Sequence, residues 1–150
     1  EAVVHEISRQ LRNWNVYTHQ NGIITTSQGG FDFDISGRQT IRAPDIAFIS
    51  KNIYRSLDRQ QQWTFKGQPY FASVDLGWLV DPKNKQIYIY RRRVSGVVYR
   101  TSHGWNNVNG GSILPGFTLE VQKIDDTISQ ESSESSSEND EIISSHARRW

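Results

Sequence analysis

The chain has 150 residues, enough for one domain with a buried core, and its 17 Lys+Arg against 16 Asp+Glu leave a net charge of +1. It has no cysteine, which excludes a disulfide framework and thiolate metal sites and fits a reducing, cytoplasmic setting. No run approaches the roughly 18 apolar residues of a membrane span and no charged-then-apolar leader opens the chain, so a soluble protein with no membrane partner is expected. Methionine is absent even at position 1, which points to a chain that begins inside a longer product or was trimmed.

In chain order, Val3, Val4, Ile7, Leu11 and Trp14 recur at steps of three and four, which predicts an amphipathic helix of about twelve residues, ending near Asn13 and Asn15. Residues 22–27, GIITTS, read as a strand. Phe31, Phe33 and Ile35 alternate with Asp32 and Asp34 after the Gly29-Gly30 turn, the pattern of a half-buried strand. Residues 44–50, PDIAFIS, form the next strand, and Ile53 and Leu57 predict a short helix capped by Ser50. DLGWLV and QIYIYRR read as a β-hairpin joined through Asp81-Pro82-Lys83-Asn84-Lys85, GVVYR continues as a strand, and FTLEVQKI is a short closing segment after a long loop. One helix, mainly antiparallel strands and a small crossing helix give an α+β or mixed α/β layer.

Charge divides the chain unevenly. Residues 1–124 hold 15 Lys+Arg and 9 Asp+Glu, a net of +6, whereas residues 125–150 hold 2 and 7, a net of −5. The segment SQESSESSSENDE (129–141) has almost no apolar content and dense like charge, so 125–150 reads as a disordered acidic tail behind an ordered domain of 1–124. Such a tail is a solvated terminus; its functional readings are a mimic of nucleic-acid charge over the basic core or a phosphorylation target.

The histidines 5, 19, 103 and 146 are scattered, and HEISR is not a zinc-binding HExxH because position 9 is Arg. That leaves Asp45 as the candidate for chemistry. By itself, a Pro-Asp at a strand entrance is a turn carboxylate accepting backbone N–H bonds.

Three stretches in this order, GGFDFDISGRQTIRAPDIAFI, then DLGWLVDPKNKQIYIYR, then LPGFTLEV, resemble successive landmarks of a large bacterial family of restriction-type endonucleases, abundant in cyanobacteria, within the PD-(D/E)xK nuclease superfamily. The resemblance covers about residues 4 to 121 and implies a restriction-endonuclease-like α/β core, a mixed sheet with flanking helices. It also implies Mg²⁺-dependent phosphodiester hydrolysis, with Asp45 as the Pro-Asp metal ligand and catalytic carboxylate. Glu6 falls loosely where some superfamily members place an accessory acid, but reads first as a surface helix residue. The family's second carboxylate and its lysine, an apolar strand ending in Glu-x-Lys with a following helix, have no counterpart between Ala72 and Val74. The core is therefore expected to be internally truncated and its site incomplete and inactive.

Asp81-Pro82-Lys83 matches D-x-K literally, but Pro82 cannot donate to a strand ladder and Asp-Pro-Lys-Asn is turn chemistry. Glu120 and Lys123, three apart, do not share a strand face. Arg38, Arg42, Arg91 and Arg93 are candidates for contacts with DNA phosphates, Arg91 and Arg93 sharing one strand face and Arg92 taking the other. Trp63, Trp78, Trp105, Tyr88 and Tyr90 read as core and sheet residues rather than base-stacking platforms. The expected function is that of a nuclease-family member without hydrolysis, with a non-catalytic DNA-binding or protein-interaction module as the alternative; DNA and a second copy of the chain are the candidate partners.

Overall fold

The computed structural model describes residues 1–26, 31–32, 41–42, 44–59, 70–71, 73–132, 141–144 and 147–148. Helix α1 (Ala2–Tyr17) buries Val3, Ile7, Leu11 and Trp14 along the predicted stripe. It runs past the stop predicted at Asn13, and its last turn is closed at Thr18, whose N–H and hydroxyl donate to the Trp14 carbonyl at 3.0 and 2.6 Å. The chain then gives β1 (Ile23–Thr26), β2 (Phe31–Asp32), β3 (Ile41–Arg42), β4 (Ile46–Ile49) and helix α2 (Lys51–Ser56). After these come β5 (Tyr70–Phe71), β6 (Ser73–Val74), β7 (Leu76–Asp81), β8 (Gln86–Arg92), β9 (Val98–Ser102), β10 (Val108–Asn109) and β11 (Thr118–Leu119). Helix α3 (Val121–Glu131), β12 (Glu141–Ser144) and β13 (Ala147–Arg148) complete the described elements.

Six strands form a mixed sheet in the order β1-β4-β12-β7-β8-β9. In it β12 runs parallel to β4, and the other neighbouring pairs are antiparallel. Smaller ladders join β3-β2-β5, β13-β6 and β10-β11. The fold is thus a mixed α/β arrangement of sheets flanked by helices.

Period-two alternation decides which side of the large sheet is dry. Leu76, Trp78 and Val80 of β7, Ile87 and Ile89 of β8, and Ile46 and Phe48 of β4 pack in one cluster with the α1 stripe and with Val121 and Ile124 of α3. Phe117 is the hub of its aromatic contacts, stacked on Trp78 with centroids 5.9 Å apart and meeting Trp14 edge-on at 5.7 Å. Each fully buried Ile or Leu here contributes about 1.5–3 kcal/mol. The opposite side of β4 presents Ala47 and Ile49 to Leu57, with Ile53 and Tyr54 of α2 packed against them. Ser50 caps α2 as predicted, its hydroxyl accepting the Ile53 N–H at 3.3 Å.

The hairpin is also as predicted. β7 and β8 pair from Leu76↔Arg91 to Asp81↔Gln86, and residues 82–85 form the turn. Trp78 is fully buried, Tyr88 and Tyr90 lie half-buried on the sheet, and Trp63 falls outside the described residues.

Of the expected acidic tail, 125–150, residues 133–140, 145–146 and 149–150 lie outside the described residues, while 125–131 lie in α3, 141–144 in β12 and 147–148 in β13. The domain boundary expected at residue 124 falls inside α3, where Val121, Ile124 and Ile128 repeat at three and four and pack on the core despite Asp125, Asp126 and Glu131 between and after them. β12 lies centrally in the large sheet: Ile143 and Ser144 oppose Ile46 and Ala47 of β4, and Glu141 to Ser144 oppose Val80 to Gly77 of β7. Burial of the α3 stripe and backbone pairing of β12 on both sides hold these described residues. No helix among the described residues is long and apolar enough to cross a membrane.

Candidate functional site

Asp45 stands at a bend between buried Pro44 and β4, half-buried itself, and the strand it introduces is buried at all four positions. Beside that strand lies β12, parallel to it and reading Glu141-Ile142-Ile143-Ser144. Two residues after the glutamate stands isoleucine, so this strand offers no ammonium to orient a water. Position 141 pairs with Val80 and shares the parity of Ile143 and Ile46, while Asp45 shares that of Ala47.

The other expected carboxylates are used for structure. Asp81 is a turn residue: its two oxygens accept from the Asn84 backbone N–H at 3.2 Å and from the Asn84 side chain at 2.8 Å. Glu6 accepts two bonds from Arg9 on the same helix, at 2.9 and 2.6 Å, and another from Gln10 at 3.2 Å. The guanidinium of Arg9 holds the Glu6 carboxyl below its ordinary range against the opposing effect of burial. Glu120 pairs with Lys123 at 2.7 Å. Among the described residues, no three His, Asp or Glu side chains converge to hold a metal. Mg²⁺ takes several hard oxygen donors in near-octahedral geometry, and among the described residues the Asp81 and Glu6 carboxylates are already hydrogen-bonded to Asn84 and Arg9.

The arginines are better placed. Residues 82–119 contain six Lys+Arg (Lys83, Lys85, Arg91, Arg92, Arg93 and Arg100) and no Asp or Glu. Strand pairing sets Arg91 opposite Tyr99 and Arg100 opposite Tyr90. The Arg93 guanidinium carbon lies 4.3 Å from the Tyr99 ring centroid, and that of Arg100 lies 4.8 Å from the Tyr88 centroid. Rings hold these cations without neutralising them. Among the described residues no carboxylate forms an ion pair with Arg91, Arg93 or Arg100, whereas Glu6 pairs with Arg9, Asp125 with Lys85 and Glu120 with Lys123. The turn between β8 and β9 is closed by the Arg93 N–H to the Val97 carbonyl and the Gly96 N–H to the Arg93 carbonyl, both at 2.8 Å, with Gly96 at φ +90°. Val94, Val97 and Val98 at this tip are exposed.

Of the four arginines expected to act together, the structure therefore joins Arg91 and Arg93. The backbone of Arg42 belongs to the separate β3-β2-β5 ladder, and Arg38 lies outside the described residues. Arg100 was missed by sequence reasoning; its signal was its place on the strand that returns against the arginine-ended β8. A concavity between α1 and α3 has Arg9, Gln10, Glu120 and Lys123 on its wall, but Arg9 is paired with Glu6, Gln10 bonds the Glu120 backbone and Lys123 pairs with the Glu120 carboxylate. No family model and no curated protein matches this chain.

Proposed function

We propose that this chain is a non-catalytic nucleic-acid-binding module on a restriction-endonuclease-like frame, holding the phosphodiester backbone with the β8–β9 hairpin. The observation that carries this reading is the acid-free hairpin, on which Arg91 and Arg93 on one face and Arg100 on the other have no carboxylate partner among the described residues, and two of the three are held over tyrosine rings. A polyanion supplies the missing counter-charges, and a phosphate accepts two parallel guanidinium N–H bonds. The Glu-x-Ile strand beside β4 and the turn role of Asp81 favour binding over Mg²⁺-dependent hydrolysis.

The test is fluorescence anisotropy with labelled duplex DNA across a salt series, beside a plasmid-nicking assay in Mg²⁺ and Mn²⁺. The wild type binds with log affinity falling linearly against log salt, and replacing Arg91, Arg93 or Arg100 with alanine each reduces that slope by about 1. Plasmid stays supercoiled. Absence of salt-sensitive binding by folded protein defeats the reading; nicking that disappears in Asp45→Ala restores the nuclease.

A further inference from the structure

The β8–β9 ribbon ends in a loop whose side chains meet no packing need of their own chain. The Arg93 N–H bonds the Val97 carbonyl and the Gly96 N–H returns to the Arg93 carbonyl, so residues 94–96 form a three-residue loop with Gly96 at φ +90°. Turn chemistry favours Gly, Asn, Asp, Ser or Pro in such a loop, and valine supplies nothing that these offer. Val94 nevertheless stands there fully exposed, and Val97 and Val98 beside it are each more than half exposed. Strand β9 has no buried residue and forms one edge of the large sheet, so this end of the ribbon stands clear of the core.

Register divides the cations between the two faces of the ribbon. Arg91 lies opposite Tyr99 and Arg93 opposite Val97 on one face, whereas Arg100 lies opposite Tyr90 and Arg92 opposite Val98 on the other. Each face thus carries an exposed valine and a guanidinium held over a tyrosine ring, Arg93 over Tyr99 and Arg100 over Tyr88. Cations on both faces behind an apolar tip fit a cleft with anionic walls and apolar groups on its floor. A lipid surface fits less well, because it is entered by aromatic side chains at the headgroup level. Residues 93–98, RVSGVV, contain no aromatic side chain, and Tyr88 and Tyr99 lie behind the tip beneath the arginines.

The major groove of a B-form duplex is a cleft of the required kind. It is about 12 Å wide and admits a two-stranded ribbon, whereas the minor groove, about 6 Å wide, does not. Phosphates line both of its rims, and the apolar group that base pairs present on its floor is the thymine 5-methyl. Resting on the nucleic-acid-binding reading above, we propose that the ribbon enters the major groove tip first. Arg91 and Arg93 meet the phosphates of one strand, Arg100 those of the other, and Val94 and Val97 cover thymine 5-methyl groups. The arginines set where the ribbon sits, and the valines give it a preference among sequences.

The experiment compares a labelled duplex rich in A·T pairs with the same duplex carrying uracil for every thymine. Binding of the full chain to each is followed by fluorescence anisotropy across a salt series. The replacement removes the 5-methyl groups and leaves the phosphates and the minor-groove edges as they were. The thymine duplex is expected to bind about fourfold tighter for each methyl covered, with the same salt slope for both. The double variant Val94→Ser, Val97→Ser, its folding checked by circular dichroism, is expected to bind the two duplexes equally. Equal affinity of the wild type for both, with salt-sensitive binding retained, overturns this proposal and leaves the phosphate-binding reading standing. Discrimination that survives in the folded double variant also overturns it, since other residues then read the methyls. Valine-dependent binding to vesicles of phosphatidylserine and phosphatidylcholine, with no thymine preference, overturns it in favour of a lipid surface. Absence of salt-sensitive binding to either duplex defeats the underlying reading and the proposal with it.

Discussion

The side chain of Gln10 pairs with the backbone of Glu120 through both ends of its amide: its oxygen accepts the Glu120 N–H at 2.8 Å and its nitrogen donates to the Glu120 carbonyl at 3.2 Å. A helix side chain thus acts as a short strand partner for the residue that precedes α3. Gln10 is buried, so its partners have little water to turn to. Gln10→Leu keeps the size but leaves the Glu120 N–H and carbonyl unpaired, and is expected to lower stability by about 1–3 kcal/mol. Urea denaturation followed by circular dichroism reads this directly, with no change in slope if the native fold is retained.

Asn15 repeats the device a few residues later, donating to the Gly22 carbonyl at 3.1 Å and accepting its N–H at 3.0 Å. The close approach requires glycine, since a Cβ on residue 22 would stand 2.2 Å from the Phe48 ring and 2.8 Å from the Ile49 carbonyl oxygen. Gly22→Ala is expected to destabilise by about 1–3 kcal/mol through overpacking. Thermal unfolding of the variant beside wild type checks it, and an unchanged midpoint would mean that the β1–α1 junction can widen.

The Glu6–Arg9 pair predicts a pH dependence. The folded Glu6 carboxyl lies below its ordinary value of 4.5, chiefly through its hydrogen bond with Arg9. Its contribution is therefore full above 4.5 and disappears as pH falls through the lowered folded value. For a partly exposed helix pair the effect is about 0.5 kcal/mol. Glu6→Gln should sit below wild type in urea midpoint at pH 7, and the gap should narrow steadily as the pH is taken below 4.5.

Asp125 clamps the hairpin turn to α3. One oxygen is ion-paired with Lys85 and the other accepts the Trp105 indole N–H at 3.0 Å, while Lys85 lies 5.0 Å from the Trp105 ring centroid. Asp125→Ala is expected to cost about 1 kcal/mol. Trp105→Phe in the Asp125→Ala background should cost less than it does alone. Strict additivity in that double-mutant cycle would show that the two side chains are neighbours without coupling.

Sequence reading was sound where burial followed a clear period. The steps from Val3 to Trp14, the alternation of Leu76, Trp78 and Val80, and the Asp-Pro turn each have one dominant structural solution, and the fold adopts it. It failed where two signals competed. Val121, Ile124 and Ile128 have helical spacing, yet Asp125, Asp126 and the serines beyond gave the segment the composition of a tail. Asn13 and Asn15 have low helix propensity, but Asn15 secures its place through Gly22, a contact with no signature in one dimension. β12 was the hardest to see, because four residues between polar stretches give no period, and their place is set by the open strands on either side. For the candidate site, Arg91 and Arg93 were legible as an alternating pair, whereas Arg100 depended on the register of a strand pairing.

That β12 stands between strands made long before it has a consequence for synthesis. β4 and β7 have both left the ribosome while residues 141–144 are still inside, so the nascent chain presents two half-sheets with facing open edges. At about 5–20 residues per second the interval is short but finite. A chain released before residue 141 carries both long helices and nearly all the apolar core residues, yet it keeps two unsatisfied ladders of the kind that other chains add to. The two half-sheets therefore become one hydrogen-bonded sheet only once residues 141–144 are in place.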